Sequence, residues 1–235
     1  MTLAVVTFIL VRMLSKRKSG TGRRMRDPER TRDLLLQAAF QEVYRSGFQR
    51  ADLDRIPATT GATKGALYYH FESKVALGYA IVDEVIAGMM RDKWLRPLRD
   101  SANPIETLIS ILERTSVRPE DVRRGCPLNN LAQEMSPLDE AFRRRVARVF
   151  REWNEGIASA LSKGQSHGAV RRDLDARQGA RFLIATYEGY LSLAKSAQDV
   201  NMLKEGIRNM VYWVRSLRLI NRRPGRGKHK EPRSI

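Results

Sequence analysis

A chain of 235 residues can bury a core and hold one or two domains, and 42% hydrophobic with 29% charged residues excludes wholesale disorder. The formal charge of +17 lies mostly at the ends: residues 1–26 carry seven Lys/Arg and no acid, residues 221–235 carry six against one, and 27–75 carry seven of each sign. One cysteine, Cys126, excludes an intramolecular disulfide framework and points to a reducing, cytoplasmic setting. With His70, His167 and His229 it makes no metal-ligand spacing, so neither a metal nor a cofactor is expected.

The stretch MTLAVVTFILVRMLSKRKSG offers about 14 mostly apolar residues broken by Arg12, short of the roughly 20 that a spanning helix needs. Its positive charge follows the apolar run, whereas in a secretory signal the charge comes first. Residues 1–26 therefore read as a basic leader or arm outside the fold, with Met25 as an alternative start; a membrane anchor is the weaker reading. The tail 221–235 reads as disordered from its Pro, Gly and basic content. Both ends are either solvated arms or contacts to a polyanion.

Between them the chain reads as all-α. Asp27-Pro28 opens a first helix with a cap and a proline at its first position, Leu35, Leu36, Ala39, Phe40 and Val43 make its apolar stripe, and Gly47 follows its end. A short helix runs from Asp52 or Asp54 to Thr60 and stops at Gly61. Thr63 caps a third helix over 64–71, and Ser73 caps a long one carrying Val75, Leu77, Ile81, Val82, Val85 and Met89. Asn103-Pro104 and Ser136-Pro137 read as two further cap-and-proline starts, the second ending at Gly164 after Phe142, Val146, Val149, Phe150, Trp153 and Ile157. Asp175 opens a helix to about 197, and the last covers about 201–219.

The third helix has an unusual composition. On a wheel advancing 100° per residue from Leu67, Phe71 falls near 40°, while Gly65 and Tyr69 fall near 160° and 200°. Leu67 and Phe71 thus mark the buried edge, with His70 beside it. Gly65 and Tyr69 face outward, and Tyr68 and Ala66 lie on the flanks. Tyrosine hydroxyls can bond phosphate or base edges, small residues let a neighbouring surface approach, and free N–H groups at the helix start suit phosphate. Two short helices joined through Gly61-Ala62-Thr63 match a helix-turn-helix whose second helix can enter a major groove. Two packed helices with a tyrosine-rich surface are the plainer alternative.

The residues GFQRADLDRIPATTGATKGALYYHFESKVAL (47–77) resemble the DNA-binding domain of the TetR family of transcriptional regulators. Gly47-Phe48, Ile56, Gly61, Lys64-Gly65, Leu67 through Phe71, Ser73-Lys74 and Ala76-Leu77 fall on its pattern in one register. The resemblance implies a helix-turn-helix domain over 27–74 and a helical ligand-binding and dimerisation domain over 75–220. It also implies a homodimer that binds a palindromic double-stranded DNA operator and is released by a small molecule. Carried over by position, Lys64, Gly65, Tyr68, Tyr69, His70 and Lys74 are DNA contacts, Thr63 joins a cap to a phosphate contact, and Ala66 can touch a thymine methyl. Ala51 departs from the pattern at a position usually held by threonine, which leaves capping to Asp52 or Asp54. Pro57 departs too: fifth in a helix starting at Asp52, third and harmless if Asp54 caps. The zero net charge of 27–75 leaves affinity to placed groups and to the Arg23-Arg24-Arg26 arm.

In the larger domain RRGCPLNNLAQEMS (123–136) is the most distinctive stretch. Cys126 at a helix start after Arg123 and Arg124 would have its thiolate favoured, which makes an electrophile or oxidant sensor one alternative; a small buried residue is the other. Cys126, Asn130, Trp153 and Tyr187 are the candidate ligand contacts. The last two helices read as the dimerisation pair, with Gly179, Ala180, Gly189, Ala194 and Ala197 allowing close approach and Ile207, Val211 and Val214 supplying apolar area; ordinary packing within the chain is the alternative. No Ser/His/Asp order, metal cluster or phosphate-cradling glycine loop can be assembled, so an enzyme is not expected. A non-specific or membrane-tethered nucleic-acid-coating protein is the other competing reading. It would lose affinity for all duplexes equally as salt rises.

Overall fold

Helix α1, Pro28–Ser46, buries the Leu35, Leu36, Ala39, Phe40, Val43 stripe that its spacing predicts. The structure, a computed structural model, describes residues 28–219. The Asp27 cap, the leader with its arginine arm and the tail 221–235 lie outside the described residues. Next comes α2, Arg55–Thr60, with Asp54 at its N-cap position and Pro57 third, where the ring meets no preceding carbonyl of the helix. Asp54 makes no side-chain cap bond; its own N–H is held by Asp52 Oδ1 at 3.0 Å, and Arg55 N–H bonds Asp52 O at 3.3 Å. The proline therefore shortens the helix to six residues and does not kink it.

Helix α3, Lys64–His70, starts on Thr63, whose Oγ1 accepts from Ala66 N–H at 3.1 Å. Helix α4 starts on Ser73, which accepts from Ala76 N–H at 3.0 Å. It is one helical run made of Lys74–Ala80, π-helical Ile81–Ile86, Ala87–Met90, π-helical Arg91–Leu95 and Arg96–Arg99. The wider π turns broaden the buried face, so that Ile81, Val82, Val85 and Ile86 all point inward. Val75, placed in this stripe by its spacing, is instead 38% exposed.

Helix α5, Pro104–Glu113, is capped by Asn103, whose Oδ1 accepts from Ile105 and Glu106 N–H at 3.1 and 3.4 Å. Asn103→Ala is expected to destabilise the protein by about 1 kcal/mol, a drop of roughly 2–4 °C in a thermal melt. Helices α6, Pro119–Arg124, and α7, Pro127–Met135, follow. The predicted start at Ser136-Pro137 is corrected by the structure. Ser136 N–H bonds Ala132 O and closes α7, and the next helix, α8, spans Glu140–Ser166 on an Asp139 cap that accepts from Phe142 N–H at 2.8 Å. An aspartate three residues on is the better cap because Pro137 and Leu138 complete the turn between the helices. Gly164 does not end α8 either; the helix runs two residues past it, and His167 N–H still bonds Lys163 O at 3.1 Å.

Helices α9, Ala176–Ala197, and α10, Val200–Ser216, begin on Asp175 and Asp199 as N-caps. α8 is the axis of the larger domain, in contact with α4, α5, α7 and α9. Trp94, Phe142 and Trp153 are fully buried along it.

Candidate nucleic-acid interface and helical-domain cavity

α3 is held from below by Leu67 (1% exposed) and, just past its end, Phe71 (5%). Tyr69 stands 81% exposed and Tyr68 44%, so the outward face drawn from the wheel is the observed one. Gly65 is exposed, and a Cβ there would find only Thr63 Oγ1, at 3.9 Å. Ala66 and His70 are half-buried, and the His70 ring stands edge-on to Tyr69 with centroids 5.0 Å apart. The two lysines are less free than expected. Lys64 pairs with Asp54 at 2.7 Å, which raises its pKa, so a phosphate must displace that aspartate. Lys74 Nζ donates to the carbonyls of Gln49 and Ala51 at 2.9 and 2.8 Å, and so ties the loop before α2 to the start of α4.

The helix-turn-helix is joined to the larger domain at the α6–α7 junction. Gly47 ends α1 with φ +84°, which turns the next two N–H groups onto Glu134 of α7: Phe48 N–H at 2.8 Å and Gln49 N–H at 2.8 Å. A Cβ on Gly47 would lie 3.2 Å from that carboxylate. Tyr44 OH donates to Gly125 O at 2.6 Å, and Gly125 itself holds φ +70° with Lys195 Cδ where a Cβ would need to be, at 3.0 Å. Lys195 Nζ donates to Asn130 Oδ1 at 2.8 Å and Asn130 donates to Arg124 O at 2.8 Å, which adds α9 to the same junction.

The four candidate ligand residues separate. Cys126 and Tyr187 line one cavity of about 80 Å³, together with Lys93, Trp94, Thr115 and Met90. Trp153 lies behind that wall with no exposure, its ring 6.0 Å from Tyr187 and 5.0 Å from Trp94. Asn130 lines a different cleft, of about 1030 Å³, between α1 and the junction. Cys126 is the N-cap residue of α7, as expected, but the thiolate argument fails: burial, with Glu188 beside it, pushes the thiol well above its ordinary value. The helix dipole and the neighbouring arginines are outweighed, and the electrophile-sensor reading loses its premise.

Lys93 and Glu188 are functional candidates that the sequence reading missed. Lys93 Nζ donates to Tyr187 OH at 2.5 Å and to Thr115 Oγ1 at 3.2 Å, and burial lowers its pKa to about 8. Glu188 is 7% exposed beside the Cys126 thiol, and burial raises its pKa to about 7 against the pull of Cys126 and Lys93. The signal was present: each is a charge set among apolar neighbours three or four residues away, Met89 and Met90 before Lys93, Ile184 and Leu191 around Glu188.

The expected close-approach and apolar residues of the last two helices are corrected in part. Gly179, Ala180, Ala194, Ile207, Val211 and Val214 are buried within the chain's own core, while Gly189 and Ala197 are exposed. The apolar surface of this pair lies instead at Phe182 (51% exposed), Leu193 (57%) and Tyr212 (78%). Among the described residues no helix is long and apolar enough to cross a membrane.

A tyrosine-faced second helix on a helix-turn-helix, joined by one long helix to a helical domain with its own cavity, defines a DNA-binding regulator. The comparisons with known proteins agree. A family model described as bacterial regulatory proteins, tetR family, matches residues 35–81, and one described as tetracyclin repressor-like, C-terminal domain, matches residues 104–210. The chain is 30% identical over 176 residues to an uncharacterized HTH-type transcriptional regulator in the lacX 3' region of Lactococcus lactis subsp. lactis, covering 74% of this chain and 88% of that protein. It is 29% identical over 165 residues to the HTH-type transcriptional repressor DhaR of Mycobacterium sp. (strain GP1), covering 67% and 79%. A crystal structure of a TetR transcriptional regulator from Chloroflexus aurantiacus J-10-FL matches with a TM-score of 0.71 at 29% identity, covering 83% of this chain and all of that one. The chain belongs to the TetR family of transcriptional regulators, which are not enzymes.

Proposed function

We propose that the protein is a cytoplasmic homodimeric repressor that holds a pseudo-palindromic operator and leaves it when a small molecule occupies the helical domain. The observation that carries the reading is Tyr69, a large ring 81% exposed on a helix anchored beneath by the buried Leu67. A ring held outward with its hydroxyl free suits a groove, where it can bond a phosphate or a base edge. Tyr69, Tyr68, Gly65 and Ala66 face the bases, with Lys64, Thr63 and His70 at the edges of the contact; Lys74 acts by fixing the loop at 49–51.

The dimer is supported by the exposed face of α9 and α10. Phe182, Leu193 and Tyr212 line it, Gly189 leaves an open notch where a Cβ would touch nothing within 4 Å, and the Phe182 and Trp213 rings meet at 4.8 Å. A homodimer that reads a pseudo-palindrome presents two recognition helices to half-sites one helical turn, or a multiple of it, apart.

Selection of DNA fragments from a random pool by the purified protein tests the reading: a short pseudo-palindrome is expected to emerge. On that operator Tyr69→Ala should weaken binding roughly tenfold or more with an unchanged circular dichroism spectrum, and Lys64→Ala should weaken it less and reduce the salt slope by about 1. Full affinity in both variants would reject α3 as the recognition helix, and equal affinity for every fragment would reject sequence-specific regulation.

A further inference from the structure

The cavity beside Lys93 has the wall of an anion site, and we propose that it takes a short carboxylate of about three to five non-hydrogen atoms as the effector. The inference rests on the reading above that a small molecule in the helical domain controls operator binding, and it names the chemical class of that molecule.

Charge is the first argument. Lys93 as a residue is partly exposed, but its ammonium end lies between Thr115 (8% exposed) and Tyr187 (5%) and donates to both hydroxyls. Among the described residues no carboxylate oxygen lies within 4.0 Å of Nζ, so the groups hydrogen-bonded to this cation are two neutral hydroxyls, and the Glu188 carboxyl acts on it only from farther away. Such a charge is strongly stabilised by an anion that reaches it.

The hydrogen-bond inventory points the same way. Trp94 lines the cavity with no exposure, and among the described residues its indole N–H has no acceptor. Thr115 gives its own proton to Ile111 O at 3.3 Å. The Trp94 N–H and the Lys93 ammonium are both donors, and an acceptor-rich ligand completes them.

The acids nearby do not fill that role. Asp121 is bound by Arg118 at 2.9 Å and by Ser116 at 2.5 Å. Glu188 keeps its proton up to about 7, where burial has raised it against the pull of Cys126 and Lys93. Cys126 and Tyr187 both hold their protons more tightly than usual, so neither adds negative charge. Below about pH 7 the site carries the Lys93 charge uncompensated. Above it Glu188 ionises, and by about 8 Lys93 is half deprotonated, so both changes weaken anion binding in the same direction.

Size sets the upper bound. A volume of about 80 Å³ is roughly half that of an engineered cavity that accepts benzene, which limits the ligand to a few heavy atoms. Output is built in, because Cys126 in the cavity wall begins α7, and the adjacent Gly125 carbonyl holds Tyr44 of the helix-turn-helix.

Calorimetry on the full chain with sodium acetate and sodium propanoate, at constant ionic strength, tests the proposal, with acetamide, propanamide and benzoate as comparators. Operator release is followed in parallel by fluorescence anisotropy. The expected result is a dissociation constant for the short acids between about 10 μM and 10 mM, the range open to so few atoms. It should weaken about tenfold from pH 6 to pH 8, the short amides and benzoate should not bind, and the operator should be released. Lys93→Met should weaken acid binding tenfold or more while the protein still melts cooperatively, and Trp94→Phe should weaken it in a second, independent position. Absence of binding, equal binding of amides and acids, unchanged binding in both variants, or binding without operator release would each overturn it. Failure to hold any operator at all would instead overturn the repressor reading, since the calorimetric signal is independent of DNA.

Discussion

Glu134→Ala is expected to separate the two domains energetically. Both carboxylate oxygens of Glu134 accept from backbone N–H groups just past the end of α1, Phe48 and Gln49, each at 2.8 Å. Hydrogen bonds to a charged acceptor contribute about 1.5–3 kcal/mol each, less for the more exposed of the two, so about 3 kcal/mol is lost in total. Alanine leaves two donors with water as their only alternative, and Phe48 is 5% exposed. The junction then keeps the Tyr44 bond to Gly125 O, with the Arg124 guanidinium over the Tyr44 ring at 5.6 Å, and the Phe48–Phe142 ring contact. The expected outcome is a fall of roughly 6–10 °C in the thermal midpoint. Operator affinity should also stop responding to whatever occupies the helical domain. Glu134→Gln keeps one good acceptor and should fall midway. An unaltered midpoint together with an intact effector response in Glu134→Ala would show that the domains are coupled elsewhere, through α4.

Much of this architecture is legible in the sequence because the signals are local. Thr63, Ser73, Asn103 and Asp175 each announce a helix start within three residues of themselves, and each is observed capping. The outward face of α3 follows from one wheel with two anchors, Leu67 and Phe71. The misreadings have a common cause, which is that tertiary context decided between two local signals. Ser136-Pro137 reads as a start, but Ser136 closes α7, and the cap falls three residues later, on Asp139. Gly164 looked like a stop, yet α8 continues because Val170 and Pro104 pack against its bare Cα. The cavity was hidden for a different reason. Lys93, Thr115, Cys126 and Tyr187 come from α4, the loop after α5, the start of α7 and α9, and no periodicity connects them. The same is true of Glu134 and the backbone it holds, which are separated by 86 residues for its Phe48 bond.

A large loss of stability from a single added methyl is expected at Gly78. It lies buried in α4 where two rings cross: a Cβ there would sit 2.4 Å from Phe48 Cε2 and 2.5 Å from Phe142 Cζ. Neither ring can retreat. Phe142 is fully buried and meets Tyr79 at 4.9 Å, and Tyr79 is fixed by bonds to Asp139 at 3.0 and 3.1 Å with the Arg145 guanidinium 4.1 Å above its ring. Phe48 is held by its own N–H on Glu134 and by Lys74 5.6 Å over its face. Relief must therefore come from a shift of α4 itself, the helix that joins recognition helix to cavity. Overpacking of this kind costs about 1–3 kcal/mol, and more where rings are trapped on both sides, so Gly78→Ala should destabilise by about 3 kcal/mol despite the better helix propensity of alanine. The helical gain of about 1 kcal/mol is too small to reverse the sign. Thermal melts at fixed protein concentration measure the first effect, and operator titration measures the second, since tilting α4 re-aims α3. The double variant Gly78→Ala with Phe48→Leu removes the facing ring edge and should recover part of the lost stability. A melting temperature that rises in the single variant would mean that α4 slides freely between the domains, and that the Phe48–Phe142 crossing does not set its position.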